Sequence, residues 1–403
     1  MGLSFTKEML SALPEYLIGV NRFKNIDKLI SFNADWKMES NDHLKTLLIY
    51  MRNIGASDID FGGPGSNEQV WFRVYGKKSP HTDLGSYTND EVAAIIISIL
   101  SESQKQILFN KRNVDFSYGI SLKDGEDENR FRGNAYFDSN SIVINFRRIN
   151  QFLLPIKSLG FPELINRRMN LRYEKSGLFL ITGITGSGKS TTLDSIVDMN
   201  NRNNHAHIVI IGNPIEYIHK SDKCLIRHRE LGDDTLSFQA GTIQALRQDP
   251  DIIVVGEMRD PKTIATVMEA TDSGHKCFST LHTSSTTDSI HRIIAEFPPN
   301  EQERVRYRLA DLLKVIVSQK LIPDRNGKLT IAKEILSVDA SVQAAIRNKN
   351  IGEVYQMITE GKKKGMITLE QDLYNLYKQK IISQESAINY SNNKKRIMQL
   401  LAY

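Results

Sequence analysis

Apolar and polar positions follow two different rhythms along this chain. Between about residues 43 and 150 the rhythm is amphipathic. HLKTLLIYMRNIG, from His43, spaces its apolar residues at helical intervals and ends at Gly55, a residue suited to the left-handed turn that closes a helix. ASDIDFG and QVWFRVYG read as strands around a GGPGSNE turn. NDEVAAIIISILSESQKQILF reads as one helix capped by Asn89. VDFSYGIS, NRFRGNAYFD and SIVINFRRI alternate, as antiparallel strands with one buried face do. This pattern predicts a small α+β domain over 43–150. Residues 1–42 are polar and weakly periodic and read as an N-terminal extension.

NQFLLPIKSLGFP carries two prolines and reads as a linker over 151–163. Beyond it the rhythm changes. GLFLITGI, HIVII, DIIVVG and KCFST are short unbroken apolar runs, most of them separated by long helical patterns. Strands buried on both faces of a parallel sheet have this texture, so 164–340 is predicted to be an α/β domain. From Asn300 onward the pattern turns helical, and 341–403 forms a helical C-terminal region with ten Lys/Arg against five Asp/Glu.

Composition changes little in this picture. The chain has 403 residues, enough for two or three domains, and a formal net charge of +5. That charge is compatible with an acidic partner or a membrane surface without requiring nucleic acid. Two cysteines, Cys224 and Cys277, make neither a disulfide framework nor a metal cluster and suit a reducing, cytoplasmic setting. No apolar run approaches the length of a membrane span, and MGLSFTKEML lacks the features of a signal peptide.

The chemistry begins at Gly183. Gly183-Ile-Thr185-Gly186-Ser187-Gly188-Lys189-Ser190 fits the phosphate-binding pattern G-x-x-x-x-G-K-[ST], with a strand before it and the helix STTLDSIVDMN, including Thr191, after it. Glycines let successive N–H groups converge on phosphate oxygens, and the helix N-terminus adds partial positive charge. Lys189 suits the β- and γ-phosphates of a nucleoside triphosphate, and Ser190 suits Mg²⁺. Glu257 follows the apolar run DPDIIVVGE and is placed to hold a metal's water or orient the attacking one. His282, at the tip of KCFSTL, is placed to sense the γ-phosphate, whereas His275 is left open between a functional and a merely satisfied histidine. Arg130 and Arg132 are two apart and share a strand face, and Arg147 and Arg148 end the last strand of the first domain. By themselves they read as a solvated basic face.

Taken together, these segments resemble the secretion-ATPase superfamily of type IV pili, type II secretion and type IV secretion, nearest to the pilus retraction ATPase (PilT) family. The resemblance covers residue 43 to the C-terminus. It rests on GASDID, RFRGNAYF, GITGSGKST, PIEYIH in the position of the Asp box, ALRQDPDIIVVGEMRD and the His box DSGHKCFSTLHTSS. Its most specific part is AAIRN at 344–348 followed by EGKKKGMITLEQDL. The resemblance implies a homohexamer of subunits, each with a PAS-like N-terminal domain, a RecA-like P-loop domain and a helical C-terminal tail. It implies ATP with Mg²⁺, a catalytic Glu257, a contribution from Glu216, and Arg130, Arg132 and Arg148 approaching the nucleotide. It also implies action on an inner-membrane platform protein, with peripheral membrane contact and no nucleic acid. In one place the chain departs from the family, which writes Glu-Asp-Pro where this sequence has Gly212-Asn213-Pro214.

Several functions stay open at this point. A retraction motor leads. A type IV secretion ATPase for conjugation or effector export, a low-turnover regulatory relative and a nucleic-acid translocase are the alternatives. No Asn-Lys-x-Asp tetrad points to GTP.

Overall fold

In the computed structural model residues 2–121, 129–149 and 153–402 are described. They form two compact units, Met1–Gln151 and Phe152–Tyr403.

The first unit begins with α1 (Thr6–Ala12), α2 (Gly19–Phe32) and α3 (Ala34–Asn53). Strands β1 (Asp58–Gly62), β2 (Val70–Val74) and β3 (Lys77–His81) follow, then α4 (Asn89–Ile99), α5 (Glu102–Lys111), β4 (Asn113–Ile120), β5 (Asn129–Asp138) and β6 (Ser141–Arg148). The six strands form an antiparallel sheet in the order β3-β2-β1-β6-β5-β4. Helix α4, whose residues from Val92 to Ile97 are wholly buried, packs against β1, β6, α2 and α3.

Four expectations change here. The helix predicted from His43 begins at Ala34, where the Asn33 side chain accepts a hydrogen bond from the Trp36 N–H. Residues 1–42 hold Met9, Phe23, Ile26 and Ile30 in the same core as Phe61 and Phe146, so they are built into this unit's core. The single helix expected from Asn89 is two: Leu100 is extended, and Ser101 and Gln104 form a fresh capping box. Thr88, rather than Asn89, caps the first.

The second unit contains α6 (Glu163–Met169), β7 (Gly177–Thr182), α7 (Lys189–Asn203), β8 (His207–Gly212), β9 (Leu225–Glu230) and α8 (Phe238–Ala245). It continues with β10 (Ile252–Val255), α9 (Pro261–Asp272), β11 (Lys276–Leu281), α10 (Thr286–Ala295), α11 (Pro299–Leu312), β12 (Leu313–Pro323) and β13 (Leu329–Ser337). Helices α12 (Ala340–Arg347), α13 (Ile351–Glu360), α14 (Leu369–Lys378), α15 (Gln384–Tyr390) and α16 (Lys394–Leu401) complete it. The sheet order is β13-β12-β7-β11-β10-β8-β9, and only β13 runs antiparallel to its neighbour. Apolar residues fill both faces of the central strands, as the unbroken runs predicted.

The chain does not stay helical after Asn300. LKVIVSQKLIP pairs with β7 and carries β13 along, because its β-branched run fits between two strands better than on a helix surface. Edge strand β9, LIRHRE, was also missed: its polar face gives no apolar run. The first linker residues, 150–152, lie outside the described residues. Leu159 and Phe161 pack into the core beside Ile165 and Phe179, which fastens the rest of that segment to the second unit.

Candidate nucleotide-binding site

The parallel strands deliver their chemistry to one edge, the carboxyl ends, where open α/β sheets bind ligands. Strand β7 feeds the loop Gly183–Gly188, and Lys189 opens α7. Gly183 has φ +150° and sits so close to Ser187 Oγ and the Gln319 carbonyl that a Cβ would fall 2.4 and 2.5 Å from them. Gly188 has φ +84°, which a larger residue adopts only under strain. These two glycines let the loop close. Ile184, Thr185 and Gly186 stand exposed at its tip, Ser187 is buried, and Ser190 and Thr191 lie half-buried on the first turn of α7.

Lys189 Nζ lies across this loop and donates to the Gly183 and Ile184 carbonyls at 2.9 and 3.0 Å. Burial lowers the amine's pKa, while the charges of Glu257 and Glu216 pull it back up. His282 Nδ1 is 3.5 Å from the same Nζ, and His282 Nε2 is 3.1 Å from Glu257 Oε1. The histidine therefore sits between the lysine and the glutamate. Burial and then the Lys189 charge hold its pKa below the ordinary imidazole value. Lys189, Glu257 and His282 are thus brought together by direct contact, and Glu216 reaches the lysine through its charge. Arg259, two residues after Glu257, pairs with that carboxylate and faces solvent. Asp260 caps α9 through Thr263.

Gln319 of β12 reaches the loop from outside the motif. Its Nε2 donates to the Ser187 carbonyl at 2.7 Å, and its Oε1 accepts from Thr192 Oγ1 at 3.0 Å. No sequence motif marks it; only the register of β12 on β7, which sets Ser318 opposite Thr182, brings it there.

Gly212 ends β8 and is buried, and Asn213 just beyond it is exposed, before Pro214. Register places Gly212 beside Glu230, the last residue of β9, whose buried carboxylate accepts from the Ile215 N–H at 3.2 Å. The strand tip therefore has an acid on its neighbouring strand, one that sequence reading missed along with β9. Farther along, His219 Nε2 meets Asp194 Oδ1 of α7 at 3.1 Å, and the His219 N–H donates to His228 Nε2 of β9 at 3.1 Å. Burial raises the pKa of the Asp194 carboxyl. These contacts tie the loop bearing Glu216 and Tyr217 to the helix that starts at Lys189. His275 Nδ1 instead lies 3.0 Å from both Ser273 Oγ and the Ala270 carbonyl, to which it can only donate, a local turn contact.

The arginines belong to the first unit. Arg130 is buried and donates to Ser117 Oγ at 2.8 Å; Arg132 is 3.7 Å from Asp115, and Arg147 pairs with Asp58 at 2.8 Å. Arg132 lies opposite Arg147 in the ladder, whereas Arg148 lies opposite Phe131, on the other face. The strand therefore splits the group: Arg130, Arg132 and Arg147 share a face that Arg148 does not.

Among the described residues no group of three or more His, Cys, Asp or Glu side chains could hold a metal ion, and no helix is long and apolar enough to cross a membrane. Magnesium does not need such a group. It keeps several waters and takes one or two hard oxygen ligands beside substrate phosphates. The Ser190 hydroxyl, next in sequence to Lys189, whose amine feels the charges of Glu257 and Glu216, fits that demand.

A parallel sheet whose carboxyl edge carries this loop, lysine, glutamate and histidine is a P-loop nucleoside triphosphatase of the α/β class. The chain belongs to the type II/IV secretion system protein family, whose model matches residues 42–400. It is 36% identical over 341 residues to the type IV pilus retraction ATPase PilT of Pseudomonas aeruginosa, covering 85% of this chain and 96% of that one. A crystal structure of the pilus retraction motor PilT with bound ADP superposes with a TM-score of 0.77 at 36% identity, covering 88% of this chain and 98% of that one. The Legionella pneumophila ATPase DotB superposes with a TM-score of 0.68 at 25% identity, covering 86% and 94%.

Proposed function

We propose that this chain is the ATP-hydrolysing subunit of a homohexameric motor that drives type IV pilus retraction. The likeness to the pilus retraction ATPases carries the retraction reading, and the contact chain Lys189–His282–Glu257 at the mouth of the phosphate loop supports its hydrolytic part. Backbone N–H groups of the loop and Lys189 would neutralise the β- and γ-phosphates. Glu257 would take the proton of the attacking water, and His282, neutral and touching both partners, would report whether the γ-phosphate is present. Ser190 would be the protein's ligand to Mg²⁺, which when bound offsets the charge on the phosphate oxygens. Arg132, on the face it shares with Arg130 and Arg147, would stabilise transferred phosphate from the N-terminal domain of a neighbouring subunit, as arginine fingers do, whereas Arg148 on the other face would not act with it. Domain rotation coupled to phosphate contacts would be passed to an inner-membrane platform protein from the cytoplasmic side.

Steady-state phosphate release by the purified chain tests the enzymatic part. Lys189→Ala and Glu257→Gln should each lower kcat by roughly 10²-fold or more; rates equal to wild type would sink it. Deleting the gene tests the biological part. Lost twitching with excess surface pili supports retraction. A secretion defect alone supports the second reading, an export ATPase, for which the family's span of type II and type IV systems leaves room.

A further inference from the structure

Away from the phosphate loop, α10, α11 and the turn between α12 and α13 line a half-open cavity of about 150 Å³. His291, Arg306 and Lys349 line it, with Gln302 beside them and Ile294 and Ile351 forming apolar wall. Three side chains that carry or can take positive charge thus converge, and no carboxylate lines the cavity among the described residues. Arg306 Nε is buried with no hydrogen-bond partner there. A buried guanidinium N–H without an acceptor is costly and is normally satisfied.

The third cation stands in a position that disfavours it. The Lys349 N–H donates to the Ile346 carbonyl and the Asn350 N–H to the Ala345 carbonyl, which is the hydrogen-bond pattern of a Schellman turn ending α12. Its left-handed residue is usually glycine, yet here it is Lys349 at φ +64°. Lys349, an exposed residue, thereby adds a cation to the lining of the cavity.

We propose that this cavity is a carboxylate pocket that receives an aspartate or glutamate side chain from an acidic segment of a partner protein. A charged fork and an ammonium match a carboxylate's two oxygens. The isoleucine walls match its methylene stem, and inorganic phosphate would lose water against them without return.

The test follows the ring signals of His291 by NMR in the full chain, assigned with His291→Gln, while three probes are added. Acetyl-glutamate amide should shift these signals saturably, and acetyl-glutamine amide should not. Affinity should fall roughly tenfold or more in Arg306→Gln and in Lys349→Gly. The glycine variant relieves the strained turn, so its fold and melting temperature should be kept or improved, which separates lost binding from lost folding. A signal that shifts with protein concentration alone, and ceases to do so in Lys349→Gly, also supports the pocket and identifies the partner as a second copy. No saturable shift with any probe and no dependence on protein concentration would overturn the proposal, as would an equal response to inorganic phosphate, an adventitious ion only.

Discussion

Gln319 Nε2 donates to the Ser187 carbonyl at 2.7 Å, so a strand remote in sequence braces the phosphate loop from below. The same amide accepts from Thr192 on α7, joining the loop to the helix it feeds. Replacing Gln319 by Leu would strand both partners in a buried setting. The expected result is a stability loss of about 1–3 kcal/mol and nucleotide affinity weakened by roughly tenfold. Denaturant unfolding and titration with a fluorescent ADP analogue measure the two.

Lys276 offers a pH signature. It is fully buried, donates to the Arg168 and Glu174 carbonyls at 2.6 and 2.8 Å, and lies 4.1 Å from the Phe179 ring centre. Burial pushes its amine down to about 7; Glu174 pulls it up, and Arg168 and Lys175 push it further down. The unfolded chain therefore binds more protons than the folded one between that value and the ordinary 10.5. Stability should rise with pH across this window, at up to about 1.4 kcal/mol per pH unit, and the dependence should end below it. Unfolding at a series of pH values should show the slope in wild type and not in Lys276→Met.

His282 works in the opposite part of the scale. Its pKa is lowered by burial and then by Lys189, so the unfolded chain takes up a proton near the ordinary 6.5 that the folded site resists. Acidification through that range should cost stability, and His282→Gln should remove that component. Phosphate release should hold steady across the ordinary imidazole range and fall only at more acidic pH, where the histidine becomes charged.

At the strand tip, Asn213→Asp restores one acid at an exposed position. It should raise turnover at limiting Mg²⁺ by a few-fold at roughly unchanged stability, since the family pattern carries an acid at this position and a carboxylate suits a hard cation. Gly212→Glu is different. A Cβ there would lie 2.6 Å from Ile215 Cδ1, so that methyl must move before the second acid can be accommodated. Comparing kcat of the single and double variants separates charge from packing.

His219→Ala should leave nucleotide affinity near wild type and lower kcat by roughly tenfold, because it frees the loop bearing Glu216 from Asp194 of α7, while the backbone N–H at this position still reaches His228. Initial-rate kinetics with Kd measured separately would show the split; equal loss in both would overturn it.

The phosphate loop, the four central strands and Glu257 could be read directly from sequence. Each depends on local chemistry: glycines at a loop, unbroken apolar runs, an acid after a strand. The AAIRN segment and the motif order were enough to place the chain in its family before any geometry. What sequence could not supply depends on register between distant segments. Gln319 matters because β12 lies beside β7, and Glu230 because β9 lies beside β8; neither neighbour is implied by the residues themselves. The split of Arg148 from Arg132 follows from ladder parity, which fixes faces only once the pairing is known. Likewise the convergence of His291, Arg306 and Lys349 comes from three elements whose charges look solvated when read singly. A linear pattern records what each residue prefers, while tertiary packing decides which preferences meet.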